Sequence, residues 1–298
     1  MKFVTVKGQD SEFIGLVDES ENRVLPLKRA WQACFGNHDF PETLLDGIEM
    51  GKEFTDKVQQ LVETVKVEAY LPLDSLTLLA PIPTPRKNIF CVGKNYAEHA
   101  IEMGSKEDIP TDPIVFSKAP TSLIGSGAKV LNHQEVTDEL DYEGELAVIM
   151  GKKGRGISRE EALDYVFGYT ILNDVTARDL QKRHKQYLIG KSLDTSCPMG
   201  PWVVHASNIE NPNHLAIETK VNGEVRQSSN TENFIFPIEE IIYVLSRGMT
   251  LEPGDIIATG TPAGVGKGFK PPRFLKPGDE MEIRIEKIGT LINSISVE

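Results

Sequence analysis

Apolar residues follow two different spacings in the first 80 residues of the chain. Residues 1–8 and 12–27 carry short apolar runs that predict strands, and the polar residues 18–22 predict a loop inside the second run. Farther along, between Val58 and Val65, apolar residues recur at helical spacing. The pattern predicts a few short strands packed with at least one helix.

Prolines separate this first region from the rest of the chain. Four of them lie between Pro72 and Pro85. Because proline lacks a backbone donor and fixes its own φ, this stretch is predicted to be a connector rather than the interior of a helix or sheet. We therefore predict a small N-terminal α+β domain over residues 1–80 and a second domain over residues 81–298.

Short runs rich in β-branched and aromatic residues dominate the second region, and helical patterns are fewer. The pair Asn222-Gly223 lies within one run and predicts a tight hairpin, since both residues tolerate the positive φ of such a turn. The strands do not alternate regularly with helices, which favours a β-rich α+β domain over a doubly wound sheet. Strands are predicted at residues 88–93, 113–119, 145–151, 167–176, 200–206, 216–227, 255–260 and 279–297, and helices near residues 95–103, 157–166, 177–187 and 236–248.

Composition and charge exclude several classes of protein. The chain has 298 residues and a formal net charge of −12, so no basic surface is expected to displace counterions from nucleic acid. Three widely separated cysteines suit neither a disulfide framework nor a Cys-x-x-Cys metal site. Neither a signal peptide nor a membrane-spanning stretch is recognisable. We expect a cytoplasmic protein without a membrane or nucleic-acid partner.

An acidic stretch precedes one of the most apolar strands. In LDYEGELAVIM (residues 140–150), Asp141, Glu143 and Glu145 stand at alternate positions, which on a strand would face the same side. Like charges this close repel unless a cation lies among them, and carboxylate oxygens suit Mg²⁺ or Mn²⁺. Taken alone, the pattern favours the simpler interpretation of an edge strand whose acids face water.

A second acid strengthens the metal interpretation. Asp174 lies where another apolar strand, at residues 167–176, opens onto a loop, which is a usual place for a functional group. The alternative for Asp174 is that it caps the helix that follows.

Five segments together carry a family resemblance. Their order and spacing are similar to those of the fumarylacetoacetate hydrolase family over residues 81–298. The N-terminal region resembles the small added domain of one bacterial branch, which includes oxaloacetate decarboxylases. The segments are residues 87–104, 140–158, 167–181, 190–204 and 248–266.

The resemblance implies a mixed β-roll that holds Mg²⁺ or Mn²⁺ through three carboxylates. By position, Glu143, Glu145 and Asp174 are the implied metal ligands. Asp141 does not match a family ligand, and we expect it to orient a ligand or to pair with a base.

The resemblance also assigns roles around that metal. Lys191 falls on a lysine that neutralises developing negative charge, and Gln181 falls on a position that contacts substrate or metal-bound water. His99 and Glu102, three apart on a short helix capped by Asn95, would share one face and form a general base. Without the resemblance, an ordinary surface His/Glu pair and a solvated lysine would be the simpler interpretations.

A glycine-rich turn at residues 259–266 completes the set. Its backbone N–H groups, with Gly260 and the Thr261 hydroxyl, could hold the carboxylate of the substrate. The alternative is a tight turn without a binding role, which would need the same glycines for its backbone conformation. The polar stretch at residues 94–112 suggests a lid that orders over the substrate.

The expected activity is cleavage of a carbon–carbon bond in a short 2-oxo or 2,4-dioxo acid through a metal-stabilised enolate. Oxaloacetate decarboxylation is favoured among these reactions. Acylpyruvate or fumarylpyruvate hydrolysis and 2-hydroxymuconate-type isomerisation or tautomerisation share the enolate step and stay open. A metabolite-binding regulatory protein is the alternative from another class. The resemblance further implies a homodimer.

Overall fold

The computed structural model describes residues 1–8, 11–36 and 39–296, and these form a mixed α+β fold rich in strands. The helices are α1 (Leu27–Phe35), α2 (Leu44–Met50), α3 (Lys52–Thr64), α4 (Ala97–Glu102), α5 (Arg178–His184), α6 (Leu188–Lys191) and α7 (Ile238–Ser246). The strands are β1 (Lys2–Lys7), β2 (Glu12–Asp18), β3 (Arg23–Pro26), β4 (Leu71–Pro72), β5 (Thr77–Leu78), β6 (Ile89–Gly93), β7 (Ile114–Lys118), β8 (Leu123–Ile124), β9 (Lys129–Leu131), β10 (Leu140–Asp141), β11 (Gly144–Met150), β12 (Val166–Asn173), β13 (Thr176–Ala177), β14 (Cys197–His205), β15 (Ala216–Val221), β16 (Glu224–Asn230), β17 (Ile256–Ala258), β18 (Glu280–Ile285) and β19 (Gly289–Ser296).

A large sheet joins the N-terminal region to the rest of the molecule. Its strands follow the order β4-β3-β2-β1-β14-β12-β11-β17-β6-β7, with β5 beside β1 and β8 beside β14. The junction is antiparallel pairing of β1 with β14, in which Phe3 lies opposite Val203. The ring of Phe3 packs against Phe54 of α3 and Phe167 of β12. The N-terminal α+β region therefore shares both its sheet and its core with the second region, and the boundary near residue 80 stays a prediction.

A second sheet covers one face of the large one. Its order is β16-β15-β18-β19-β9. The predicted hairpin between β15 and β16 is confirmed, since Asn222 and Gly223 form the turn with φ of 53° and 78°. Apolar side chains from the two sheets meet in one core, in which strand alternation turns every second residue inward. Members of that core include Leu146, Val148, Ile171, Val204, Ile217, Ile283 and Leu291.

Two chain segments leave the large sheet at the same level, and this is where the acidic side chains gather. At the edge of the β11–β12 ladder Gly144 lies opposite Asn173, and beyond it the short strands β10 and β13 pair with each other. The one continuous strand implied by the alternation of acids from Asp141 is therefore wrong. Residues 142–143 break it, because the chain passes there from one sheet to another.

Two helix predictions also needed correction. Residues 157–166 form the 3₁₀ turn Ala162–Tyr165 instead of an α-helix. Before that turn, the backbone N–H of Glu161 donates to Ser158 Oγ at 3.3 Å. The helix predicted at 177–187 ends at His184, because Lys185 takes a positive φ of 58°.

Two further properties concern the chain as a whole. Cys34, Cys91 and Cys197 are free thiols. Within the part of the chain that the structure describes, every helix is too short or too polar to cross a membrane.

Candidate active site

A cavity of about 240 Å³ lies between α4, α5 and the glycine-rich loop that follows β17. Its wall includes six of the nine residues expected from the sequence: His99, Glu143, Glu145, Gln181, Lys191 and Thr261. The other three, Glu102, Asp174 and Gly260, lie behind the wall and contact His99, Lys191 and Glu145 respectively.

Glu143, Glu145 and Asp174 form a buried carboxylate cluster. Each offers one oxygen within 4.8 Å of the others. The ends of β11 and β12 bring them together, since Asp174 N donates to Glu143 O at 2.9 Å and Glu143 N donates to the side-chain oxygen of Asn173 at 3.0 Å. Asp174 does not cap α5, whose N-cap is Ala177.

Two buried lysines hold the third acid. Lys191 Nζ donates to Asp174 Oδ2 at 2.7 Å and to Glu143 Oε2 at 2.8 Å. Lys118, at the end of β7, forms an ion pair with Asp174 Oδ1 at 2.9 Å. Burial works against the charge of Lys191, but Asp174 and Glu143 outweigh it and raise the pKa of this amine above its ordinary value. Lys191 is therefore a cation inside the carboxylate cluster.

Arg178 links the cluster to Asp141. Its Nε donates to Asp141 Oδ2 at 2.8 Å, and its Nη2 forms an ion pair with Glu143 Oε1 at 2.7 Å. Burial alone would raise the pKa of Glu143, but Lys191 and Arg178 lower it to about 2. Asp141 lies outside the three-acid cluster and pairs with a base. Asp179, the next residue along the chain from Arg178, accepts a hydrogen bond from Thr137 Oγ1 at 2.6 Å.

Glu145 differs from the other acids of the cluster. Among the described residues it forms no ion pair, and its Oε2 accepts only the backbone N–H of Gly260 at 2.8 Å. Burial, Asp174 and Glu143 raise the pKa of Glu145 well above its ordinary value. Among the buried side chains of the site, four acids, with Asp141 included, face the three cations Lys118, Arg178 and Lys191.

This donor set fits a hard divalent cation. The three clustered groups are all carboxylates, which Mg²⁺ and Mn²⁺ prefer. A cation would also balance the excess negative charge and allow Glu145 to remain ionised beside two other carboxylates. The residues that would hold it are Glu143, Glu145 and Asp174.

His99 and Glu102 form a pair at the wall. His99 Nδ1 lies 3.3 Å from Glu102 Oε2, and Glu102 in turn accepts the backbone N–H of Gly264 at 3.0 Å. The helix that carries them begins after Tyr96 rather than at Asn95. The predicted cap is wrong because the Asn95 amide donates to backbone carbonyls of Phe236 and Thr259 instead.

The glycine-rich loop binds the protein's own acids. The backbone N–H of Gly260 donates to Glu145, that of Gly264 to Glu102, and those of Gly266 and Lys267 to Asp141. The Thr261 hydroxyl donates to the Gly144 carbonyl at 3.0 Å and accepts from Gln227 at 2.8 Å. These donors therefore position acids and strand ends, and substrate binding by Gly260 and Thr261 stays a prediction.

Close backbone packing explains one of these glycines. Gly264 has a φ of 104°, and a Cβ there would lie 1.9 Å from the Arg226 carbonyl oxygen. Only glycine fits this position without a shift of the backbone.

Sequence reasoning missed several cations of the wall. Lys94, Arg178, Lys182 and Lys267 all line the cavity. Arg178 stands four residues after Asp174, and Lys267 follows the glycine-rich motif directly, so proximity to recognised motifs was the available signal. Gln181 Oε1 accepts from Arg178 Nη1 at 3.3 Å, which places the amide beside the same cation.

Comparison with known proteins agrees with this architecture. The family model "Fumarylacetoacetate (FAA) hydrolase C-terminal" matches residues 88–296. Oxaloacetate tautomerase YisK of Bacillus subtilis (strain 168) is 54% identical over 301 residues, covering 99% of this chain and 100% of that protein.

Solved structures extend the agreement to the whole fold. A fumarylacetoacetate hydrolase from Exiguobacterium antarcticum is 40% identical, with a TM-score of 0.84 and coverage of 100% of both chains. Maleylpyruvate hydrolase from Sphingobium sp. SYK-6 is 28% identical, with a TM-score of 0.79 and coverage of 100% of both chains. The model, the full-length relatives and the shared fold together show that this chain belongs to the fumarylacetoacetate hydrolase family.

Proposed function

We propose that the protein catalyses keto–enol tautomerisation of oxaloacetate with Mg²⁺ or Mn²⁺. The observation that carries this proposal is that His99, Glu143 and Glu145 line one small cavity. Their partners Glu102 and Asp174 lie directly behind its wall. The activity named for the 54% identical relative supports the choice of substrate. When bound by Glu143, Glu145 and Asp174, the cation would act as a Lewis acid and stabilise negative charge on the 2-oxo oxygen.

His99 is the proposed proton carrier. Because Nδ1 faces Glu102, Nε2 is the ring nitrogen left to accept a proton. In the keto-to-enol direction, Nε2 removes a proton from C3 and the C3–H electron pair forms the C2=C3 bond. The C2=O π pair moves onto the 2-oxo oxygen, which takes up a proton from water, and His99 releases the C3 proton to water. Glu102 holds the tautomer of the ring, and the backbone N–H of Gly264 holds Glu102.

Lys191 supplies fixed positive charge to the same wall. Its amine lies between Glu143 and Asp174, and its ammonium is 4.8 Å from the centre of the Phe116 ring. A cation held in this way would stabilise an enolate without rearranging in the reaction step.

Decarboxylation, which the sequence favoured, uses the same enolate but breaks the C3–C4 bond and releases CO₂. The activity of the full-length relative moves our proposal to tautomerisation, in which no carbon–carbon bond breaks. Hydrolysis of an acylpyruvate would additionally require His99 to activate water.

The test follows two compounds, the enol form of oxaloacetate and pyruvate, in the same incubation. Enol oxaloacetate is mixed with the protein and Mn²⁺, with and without chelator. Absorbance follows the loss of enol, and NMR follows pyruvate. We expect rapid metal-dependent equilibration, with pyruvate forming no faster than in a control that contains Mn²⁺ and no protein.

Variants assign the chemistry to the site. His99→Asn should slow equilibration by about 10²–10⁴-fold, the usual contribution of a general base. His184→Asn, on the exposed end of α5, should leave the rate unchanged. Pyruvate formation in step with enol loss would identify a decarboxylase. An equilibration rate indifferent to chelator and to His99→Asn would reject the proposal and favour a metabolite-binding role.

A further inference from the structure

Lys267 projects from an anchored loop into the cavity wall. Its backbone N–H donates to Asp141 Oδ2 at 3.0 Å, and the same carboxylate oxygen accepts from Arg178 Nε at 2.8 Å. Asp141 is fully buried. The main chain at Lys267 is therefore tied to the charged network of the site, while its side chain lines the cavity.

The other cations of the wall mostly have acidic partners. Lys191 pairs with Glu143 and Asp174, and Arg178 pairs with Asp141 and Glu143. Lys94 pairs with Asp108. Over residues 1–8, 11–36 and 39–296, by contrast, neither Lys182 nor Lys267 forms an ion pair, and Lys182 is exposed to solvent. Of these two lysines, Lys267 is the partly buried one, and its ammonium has no acidic partner among the described residues.

The electrostatic surroundings of Lys267 favour a bound anion. Burial and then the neighbouring charge of Arg178 lower the pKa of Lys267, and Lys182 adds to this effect, with Glu139 and Asp141 acting in the opposite direction. Positive charge that is partly removed from water and incompletely balanced attracts a carboxylate more strongly than a solvated lysine does.

We propose that Lys267 binds the second carboxylate of a dicarboxylic 2-oxo acid and so selects diacids over monoacids. This inference rests on the proposed function for the identity of the substrate class. A cavity of about 240 Å³ admits a short diacid. A monoacid of similar shape would leave the ammonium without a counterion, whereas a diacid forms a charge-assisted hydrogen bond with it.

The test uses a ligand pair that differs by one carboxylate. Malate and lactate share a 2-hydroxy acid group, and only malate has a second carboxylate. Binding of each to the Mn²⁺-loaded full-length protein is measured by calorimetry. We expect the wild type to bind malate more tightly. Lys267→Met should weaken malate binding by about 10- to 100-fold, the effect of losing one hydrogen bond to a charged group, and should leave lactate binding unchanged.

Matched variants distinguish the effect of the positive charge at Lys267 from a general loss of structure. Lys267→Arg should recover most of the preference for malate, and Lys276→Met, which removes an exposed lysine farther along the same segment, should change neither affinity. Lys267→Gln provides a second neutral variant should the methionine variant fold poorly. Because the loop is anchored through its backbone N–H, both neutral variants keep that hydrogen bond.

Two outcomes would overturn the assignment. One is a wild-type protein that binds malate and lactate equally, and the other is a preference that survives Lys267→Met but disappears in Lys182→Met. These measurements need no turnover, so they are independent of the reaction. Loss of the preference in Lys267→Met, in a protein that does not tautomerise oxaloacetate, would support the diacid subsite and reject the proposed reaction.

Discussion

Lys118 is a charged side chain with no exposed surface. Besides its ion pair with Asp174, its Nζ donates to the Val175 carbonyl at 3.1 Å and to the Lys191 carbonyl. It therefore connects Asp174, an expected metal ligand, to the backbone at Val175 and at Lys191. Removing one member of a buried ion pair is costly, because the charge that remains is neither paired nor hydrated.

We expect Lys118→Met to lower the free energy of unfolding by about 3–5 kcal/mol, since it leaves the buried Asp174 carboxylate without one of its two cations. Urea denaturation followed by circular dichroism measures this change. Lys129→Met removes an exposed lysine from β9 and should cost less than about 0.5 kcal/mol, the usual limit for surface substitutions. Equal midpoints for the two variants would contradict the structural role of Lys118.

Among the elements, the loop that follows β17 organises the site. Through four backbone N–H groups it holds Glu145 of β11, Glu102 of α4 and Asp141 of β10. Acids from three separate elements thus share one rigid partner. Hydrogen bonds donated by backbone N–H groups require no donor side chain to become ordered, so a glycine-rich loop can position several acids at a low cost in entropy.

Gly264→Ala tests whether this loop must approach the neighbouring backbone closely. A side chain at positive φ costs about 1–2 kcal/mol wherever it occurs, and the clash with the Arg226 carbonyl should add about 1–3 kcal/mol. Gly278→Ala is the matched control, because Gly278 has a φ of 89° and no atom near the added Cβ. Urea denaturation of both variants isolates the clash, and equal losses of stability would show that the approach is not needed.

At the scale of the whole molecule, the N-terminal region is part of a continuous sheet. β1 pairs with β2 on one side and with β14 on the other, so removal of the first strands would expose the edge of β14. The shared core around Phe3 reinforces the junction. The homodimer implied by the family resemblance stays a prediction.

We expect the two regions to unfold together. The chain has two tryptophans, and they report on different regions: Trp31 lies in α1 and Trp202 in β14. In Trp202→Phe, fluorescence follows Trp31, and in Trp31→Phe it follows Trp202. Within each variant, the urea transition seen by fluorescence should coincide with the transition seen by far-ultraviolet circular dichroism. A Trp31 transition at lower urea than the dichroism of the same variant would indicate an independent N-terminal unit.

The sequence by itself determined the local elements and the family. Alternation and helical spacing predicted β6, β7, β11 and β17 to within a residue or two, because those patterns depend on near neighbours. Five ordered segments identified the family, and they pointed to residues that the structure brings to one cavity.

Only the tertiary structure decided which groups pair with one another. The bonds from Gly260 to Glu145 and from Gly266 to Asp141 join residues 115 and 125 positions apart. Spacing rules describe near neighbours and do not predict contacts over such sequence separations. The sequence of a glycine-rich turn is also the same whether its N–H donors face a substrate or the protein's own acids. The partners of Lys118 and Arg178 likewise depend on how distant strands and loops pack around a common buried site. So does the position of Lys267, which has no ion-pair partner among the residues that the structure describes.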